Sequence, residues 1–387
     1  MPTRPDPRPN PLLELPRLGQ SVWLDYIRRR MLDDGELARL AREDGVSGVT
    51  SNPAIFEKAI ASGDEYTAQI LEVAAAAGGD AKRIFEALAV EDIRRAADVL
   101  APVHRASGGA DGFVSLEVAP ALARDSAGTV AEARRLWAEV ARPNLMIKVP
   151  GTPECVPAIR ELLSAGINVN ITLLFARSAY AAVAEAHLSA LEERAARGEA
   201  VDDVASVASF FVSRIDTLMD RRLEERSRAA ASPVERALAQ RLLGRIAIAN
   251  AKLAYRHYEV LTGSARWRRL AGAGARPQRL LWASTSTKNP AYRDTLYVEE
   301  LIGPDTVDTM PPETLEAFRD HGVARVTLSR DLEQAERDLA DLADLGLSLD
   351  EATAELLEEG IRKFAEPFDH LLGVVASRAH ELTHRGG

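Results

Sequence analysis

Eight short apolar, β-branched runs recur along this chain, separated by longer stretches with helical spacing. No other feature limits the fold as much. The runs are SVWLDYI (from Ser21), SGVTSN (from Ser47), FVSLEVA (from Phe113), LMIKVP (from Leu145), INVNITLLF (from Ile167), SVASFFV (from Ser206), RLLWAST (from Arg279) and TVDTM (from Thr306). Of the intervening stretches, GTVAEARRLWAEVA and VPAIRELLSAG carry apolar residues three and four positions apart, the period of a helix with one buried face. Asn52-Pro53 and Asn289-Pro290 read as helix starts, an N-cap followed by proline in the first turn. Strands alternating with helices are parallel neighbours, because a parallel connection needs a crossover. The expected class is α/β, and the number eight makes a single (β/α)8 TIM barrel the economical architecture. A doubly wound open sheet would want a glycine-rich phosphate loop directly after a strand. Ala271-Gly272-Ala273-Gly274 precedes a strand instead and reads as a plain loop.

At 387 residues the chain is longer than a minimal barrel needs. The excess falls in a proline-rich N-terminal arm (1–18), a helical insertion (216–276) and a C-terminal helical tail (348–384). No linker divides 1–387 into two domains. The net charge of −10 argues against a nucleic-acid surface or a polybasic membrane patch. No apolar run approaches the roughly 18 residues of a membrane span, and MPTRPDPRPN lacks the apolar core of a signal peptide. The single cysteine, Cys155, allows no internal disulfide and suits a reducing, cytoplasmic setting. The seven histidines fall in no metal-binding spacing, so neither a metal nor another cofactor is expected.

Only six of the 48 cationic residues are lysines, so each lysine invites the question of what an amine does that a guanidinium does not. Lys148 stands among Leu145, Met146, Ile147 and Val149, in a strand apolar on both faces. Burial disfavours an ammonium and favours the neutral amine, the form that attacks a carbonyl. The alternatives are a strand-end lysine reaching solvent, or one paired with a carboxylate. Asp25 and Glu117 occupy equally strand-like settings, where acids are depleted. Taken singly, Asp25 could cap a helix and Glu117 could pair with a neighbouring strand. Together with Lys148 they put an amine, a base and an acid on strands one, three and four, whose C-terminal ends converge in a barrel.

Polar residues recur at the other strand ends. Thr50, Ser51 and Asn52 follow strand two, and Asn52 before proline also reads as an N-cap. Asn168, Asn170 and Thr172 share one face of strand five by their period of two. Ser209, Phe211 and Arg214 follow strand six, with a surface pair to Asp216 or Asp220 as the alternative for Arg214. Ser284, Ser286 and Lys288 follow strand seven, where a serine-rich turn with a cation suits a phosphate.

With these residues in view the chain resembles the transaldolase family from Ser21 to about Phe318. The motifs are WLDYIRR, GVTSNPAIFEKAI, VSLEVAP, MIKVPGT, GINVNITLLF, ASFFVSRIDTLMD and ASTSTKNPAY. The length and the WASTSTKNP block are similar to the longer bacterial branch. The resemblance implies that Lys148 forms a Schiff base with C2 of fructose 6-phosphate or sedoheptulose 7-phosphate, in the pentose phosphate pathway. Glu117 would shuttle protons through a water, and Asp25 would take the proton of the C4 hydroxyl. Asn52 and Asn170 would hold the dihydroxyacetone part, Thr172 would position the water or Glu117, and Ser209 would contact the sugar. Arg214 would bind the phosphate. Many relatives carry an arginine in the seventh-strand turn; here that role falls to Lys288 with Ser284 or Ser286. The expected partners are sugar phosphates, without nucleic acid or membrane, and the resemblance admits a homo-oligomer. Three rivals stand beside this reading: a plain aldolase that hydrolyses its enamine, a silent sugar-phosphate binder, and an unrelated barrel isomerase. The silent binder predicts loss of Lys148, Asp25 or Glu117, and the isomerase a histidine at a strand end.

Overall fold

The computed structural model describes residues 10–385. Its centre is a closed, all-parallel barrel of eight strands in chain order: β1 (Gln20–Leu24), β2 (Val46–Val49), β3 (Phe113–Glu117), β4 (Leu145–Pro150), β5 (Val169–Leu174), β6 (Ser206–Phe211), β7 (Arg279–Ala283) and β8 (Thr306–Met310). Each β-branched run of the sequence supplies one strand, and β8 closes on β1 through the pairing of Val22 with Asp308. The open-sheet alternative is thereby excluded. Strands β4, β5 and β6 are buried along their whole length, as expected where one face packs inside the barrel and the other under helices.

The interior is layered by strand register. At the N-terminal end Trp23 packs on Phe113, ring centroids 6.3 Å apart, and the Trp23 Nε1 donates to Asp111 Oδ1 at 2.8 Å. Gly48 faces this indole so closely that a Cβ there would lie 2.4 Å from it, so only glycine fits. The next layer is polar: Asn170 donates to Ser115 Oγ at 3.0 Å and accepts from Ser209 Oγ at 2.7 Å. At the C-terminal end Glu117 pairs in register with Lys148, and Lys148 with Asn170. All three side chains therefore point into the barrel.

Helices surround the barrel. The two amphipathic stretches form helices Ser126–Val140 and Val156–Ser164. Asn52 caps helix Pro53–Ser62 by accepting from Ile55 N at 3.1 Å. Asn289-Pro290 does not start a helix. Its side chain accepts from Ala291 N within a turn, and the following helix begins only at Leu296. Ala271 and Gly272 close helix Ala265–Gly272 rather than lying in a loop. Between β6 and β7 run helices Ser213–Ala229, Pro233–Arg241, Ile246–Thr262 and Ala265–Gly272. Residues 1–9 of the N-terminal arm lie outside the described residues, and Pro11–Leu18 forms two short 3-10 turns. The chain ends in a long helix, Leu349–Arg385, which crosses the C-terminal end of the barrel. Among the described residues no helix is long and apolar enough to cross a membrane.

Candidate active site

A cavity of about 220 Å³ opens at the C-terminal ends of the strands. Its walls include Asp25, Thr50, Asn52, Lys148, Thr172, Ser209, Phe211, Arg214, Ser284, Ser286 and Lys288, each of which the sequence had singled out. A larger groove of about 630 Å³ runs outside the barrel along helices Val156–Ser164 and Arg177–Ala196, but no strand end contributes to it. The chemistry concentrates in the smaller one.

Lys148 is 5 % exposed. Its Nζ donates to the Ser51 carbonyl at 3.0 Å, lies 3.4 Å from Glu117 Oε2, and sits 5.5 Å from the centre of the Phe364 ring. Of the alternatives for this lysine, solvent exposure is therefore wrong and a carboxylate neighbour is right. Glu117 does not border the cavity; it reaches Lys148 from the adjacent strand. Burial pushes its carboxyl up to about 7, only partly countered by the Lys148 ammonium.

Asp25 follows β1, anchored by its N–H donating to Met310 O at 2.8 Å. Thr50 donates to Asp25 Oδ1 at 2.7 Å and lies 2.7 Å from Thr309 Oγ1. Burial raises the Asp25 carboxyl above the usual range, against the opposing pull of Lys148, the Thr50 hydrogen bond and Arg214. Asn170 is fully buried one layer below and does not line the cavity. Asn168 serves the fold, donating to Leu145 O and accepting from Ala205 N. Thr172 does line the cavity, its hydroxyl buried without a protein partner. A buried hydroxyl left open toward a cavity is one that a ligand completes.

The far wall is cationic. Arg214 stacks over Phe211, its Cζ 5.2 Å from the ring centre. Burial lowers its pKa, and the charges that offset this belong to Glu359 and Asp25. The pairing of Arg214 with Asp216 or Asp220 does not occur: both aspartates accept hydrogen bonds from other groups. Lys288 Nζ donates to Ser286 Oγ at 2.6 Å, and Ser284 holds φ 58°, a left-handed conformation costly for a residue with a Cβ.

The structure adds Thr309, Pro311, Glu313 and Phe364 to the wall. Thr309 was accessible to the reasoning that found Thr172, as a polar residue at an inward position near a strand end. Phe364 had no local signal, since only the path of the last helix brings it over Lys148.

The chain matches the family described as transaldolase/fructose-6-phosphate aldolase over residues 22–375. That span runs beyond Phe318, where the recognisable motifs stop, and takes in most of the C-terminal helix. A transaldolase of Trichodesmium erythraeum is 45% identical over 376 residues, covering 97% of this chain and 99% of the relative. One of Parafrankia sp. is 49% identical over 366 residues, covering 94% and 97%. One of Thermobifida fusca is 48% identical over 370 residues, covering 95% and 98%. A buried, register-locked lysine beside a carboxyl at a barrel mouth, and likeness to these relatives along nearly the whole chain, lead to one conclusion: the chain belongs to the transaldolase/fructose-6-phosphate aldolase family.

Proposed function

We propose that this protein is a transaldolase, moving a dihydroxyacetone unit between sugar phosphates of the pentose phosphate pathway through a Schiff base on Lys148. The observation that carries the reading is Lys148 itself, buried at an inward strand position with Glu117 beside it and Asp25 on the same cavity. The Lys148 amine attacks C2 of fructose 6-phosphate or sedoheptulose 7-phosphate. Glu117, pushed up to about 7, is matched to proton exchange near neutrality, so it protonates the C2 oxygen as the carbinolamine loses water. Asp25 takes the proton of the C4 hydroxyl. The C3–C4 bond then breaks, its electrons pass to the iminium, and an aldose phosphate leaves. The resulting enamine attacks the aldehyde of glyceraldehyde 3-phosphate or erythrose 4-phosphate, Asp25 returns its proton to the new hydroxyl, and water releases the product ketose.

In this reading Asn52 and Thr50 orient the dihydroxyacetone part, and Thr172 holds the reacting water against Glu117. Asn170 acts from below, fixing Ser209 and the floor of the cavity. Arg214, with Lys288, Ser284 and Ser286, receives the phosphate. Incubation with fructose 6-phosphate and borohydride tests the first half. A three-carbon adduct on the peptide containing Lys148 is expected, and an adduct on another lysine, or none, refutes the mechanism. Adding erythrose 4-phosphate tests the second half. Formation of sedoheptulose 7-phosphate separates the transferase from a plain aldolase, which would release dihydroxyacetone.

A further inference from the structure

Helix Ser213–Ala229 carries two buried carboxylates, Asp216 and Asp220, one turn apart and both away from the cavity. They are 1 % and 7 % exposed, and neither forms an ion pair among the described residues. All four of their oxygens are occupied. Asp216 Oδ1 accepts from Ala247 N at 2.7 Å and Oδ2 from Tyr297 OH at 3.0 Å. Asp220 Oδ1 accepts from Gly244 N at 2.9 Å and Oδ2 from Tyr292 OH at 2.7 Å. Gly244, at φ 70°, lets the Tyr292 ring approach the backbone; a Cβ there would meet Tyr292 Cζ at 2.8 Å.

The arrangement is costly, since burial and the neighbouring Asp220 push the Asp216 carboxyl up to about 7. On one side the carboxylates satisfy N–H groups at the entry to helix Ile246–Thr262, those of Gly244 and Ala247; on the other they hold the two tyrosine hydroxyls. What the carboxylates tie down is specific. The helix that bears them begins with Ser213 and Arg214, on the cationic wall. Tyr292 lies in the segment without regular structure that runs from Ser284, past Ser286 and Lys288, to Thr295, and Tyr297 lies in helix Leu296–Glu300 directly after it. At its start this segment is held to the same helix through Ser213 N donating to Ser284 O at 3.0 Å. The two tyrosine hydroxyls secure its other end.

We propose that Asp216 and Asp220 are positioning residues for the phosphate end of the cavity, holding the Ser284–Lys288 turn opposite Arg214 through Tyr292 and Tyr297. The inference rests on the reading of Arg214, Ser286 and Lys288 as the phosphate site. It predicts an effect on binding of the phosphorylated end and none on the Schiff-base chemistry.

Tyr292→Phe removes one hydroxyl and keeps the ring against Gly244, so it tests the clamp with little risk to folding; Asp220→Asn is the second variant. With either, KM for fructose 6-phosphate should rise about tenfold, the worth of one hydrogen bond to a charged group, with kcat within about twofold. The inhibition constant for inorganic phosphate should rise in parallel. Borohydride trapping with dihydroxyacetone, which has no phosphate, should be unchanged. An unaltered KM in both variants overturns the inference, as does equal loss of activity and dihydroxyacetone trapping. Lys288→Met separates the two levels. If it raises KM and the Tyr292 and Asp220 variants do not, the clamp is wrong and the phosphate site stands. If it leaves both KM and phosphate inhibition unaltered, the phosphate site is wrong and the clamp falls with it.

Discussion

Lys148 and Lys252 are equally buried, at 5 % each, yet their surroundings differ in kind. Lys252 lies 3.5 Å from Glu300 outside the barrel, and Lys82 and Lys363 also pair with glutamates. The scarcity of lysine therefore does not by itself single out Lys148; its inward strand position beside Glu117 does. Lys148→Arg keeps the charge and loses the nucleophile. It should abolish the borohydride adduct and lower kcat by at least about a thousandfold, while the thermal midpoint stays close to that of the parent. A second residue-scale prediction concerns Asp308, which burial pushes up to about 7 with only the Thr285 hydroxyl, at 2.9 Å, opposing. Between pH 4 and 7 the folded protein keeps a proton that the unfolded chain releases, so this group's contribution to stability falls as pH rises and is lost above 7. Asp308→Asn should flatten that dependence and stabilise the protein at pH 8 by on the order of 2 kcal/mol, after allowing for its own unpartnered amide. Melting curves at pH 5 and pH 8 measure it; an unchanged difference between the two would show that Asp308 does not titrate in this range.

At the scale of elements, helix starts and ends carry function as well as structure. Asn52 Oδ1 is spent on Ile55 N, which leaves its amide hydrogens for the cavity. Asn52→Asp keeps the cap and loses the donor, so stability should hold while activity falls; Asn52→Ala should lose activity and about 1 kcal/mol of stability as well. Chemical denaturation alongside steady-state assays distinguishes the two. The C-terminal helix is pinned across the mouth by Phe368 against Phe85, ring centroids 5.6 Å apart, and by Arg378 donating to Gly63 O at 2.7 Å. That placement brings the Phe364 ring over Lys148. Phe364→Leu retains the apolar cover and removes the aromatic face. Loss of one cation–π contact should change the rate of Schiff-base formation by about two- to tenfold, read from the time course of borohydride trapping.

Across the whole molecule the net charge of −10 surrounds a mouth where Lys148, Arg214 and Lys288 outnumber the carboxylates Asp25 and Glu313. Such a local reversal draws anionic substrates inward against a repelling background, and salt weakens the attraction. KM for fructose 6-phosphate should rise several-fold between about 0.05 and 0.5 M salt, while dihydroxyacetone trapping should not move; equal responses would locate the effect elsewhere. The eight strands, the strand-end placing of Asp25, Glu117 and Lys148, and the shared face of Asn170 and Thr172 were legible in the chain, because a strand's period of two and the need to bury both faces act on neighbouring residues. Asn289-Pro290 was misread because its turn is held by contacts made elsewhere, the Tyr292 and Tyr297 hydroxyls on Asp220 and Asp216. Local pattern alone determined near which strand ends the polar and charged side chains stand. Only the tertiary structure decided that Glu117 meets Lys148, that Asn170 lies beneath the cavity rather than on it, and that Phe364 covers the amine. Those outcomes depend on register and on the path of distant helices, and these are set by long-range packing that no stretch of sequence contains.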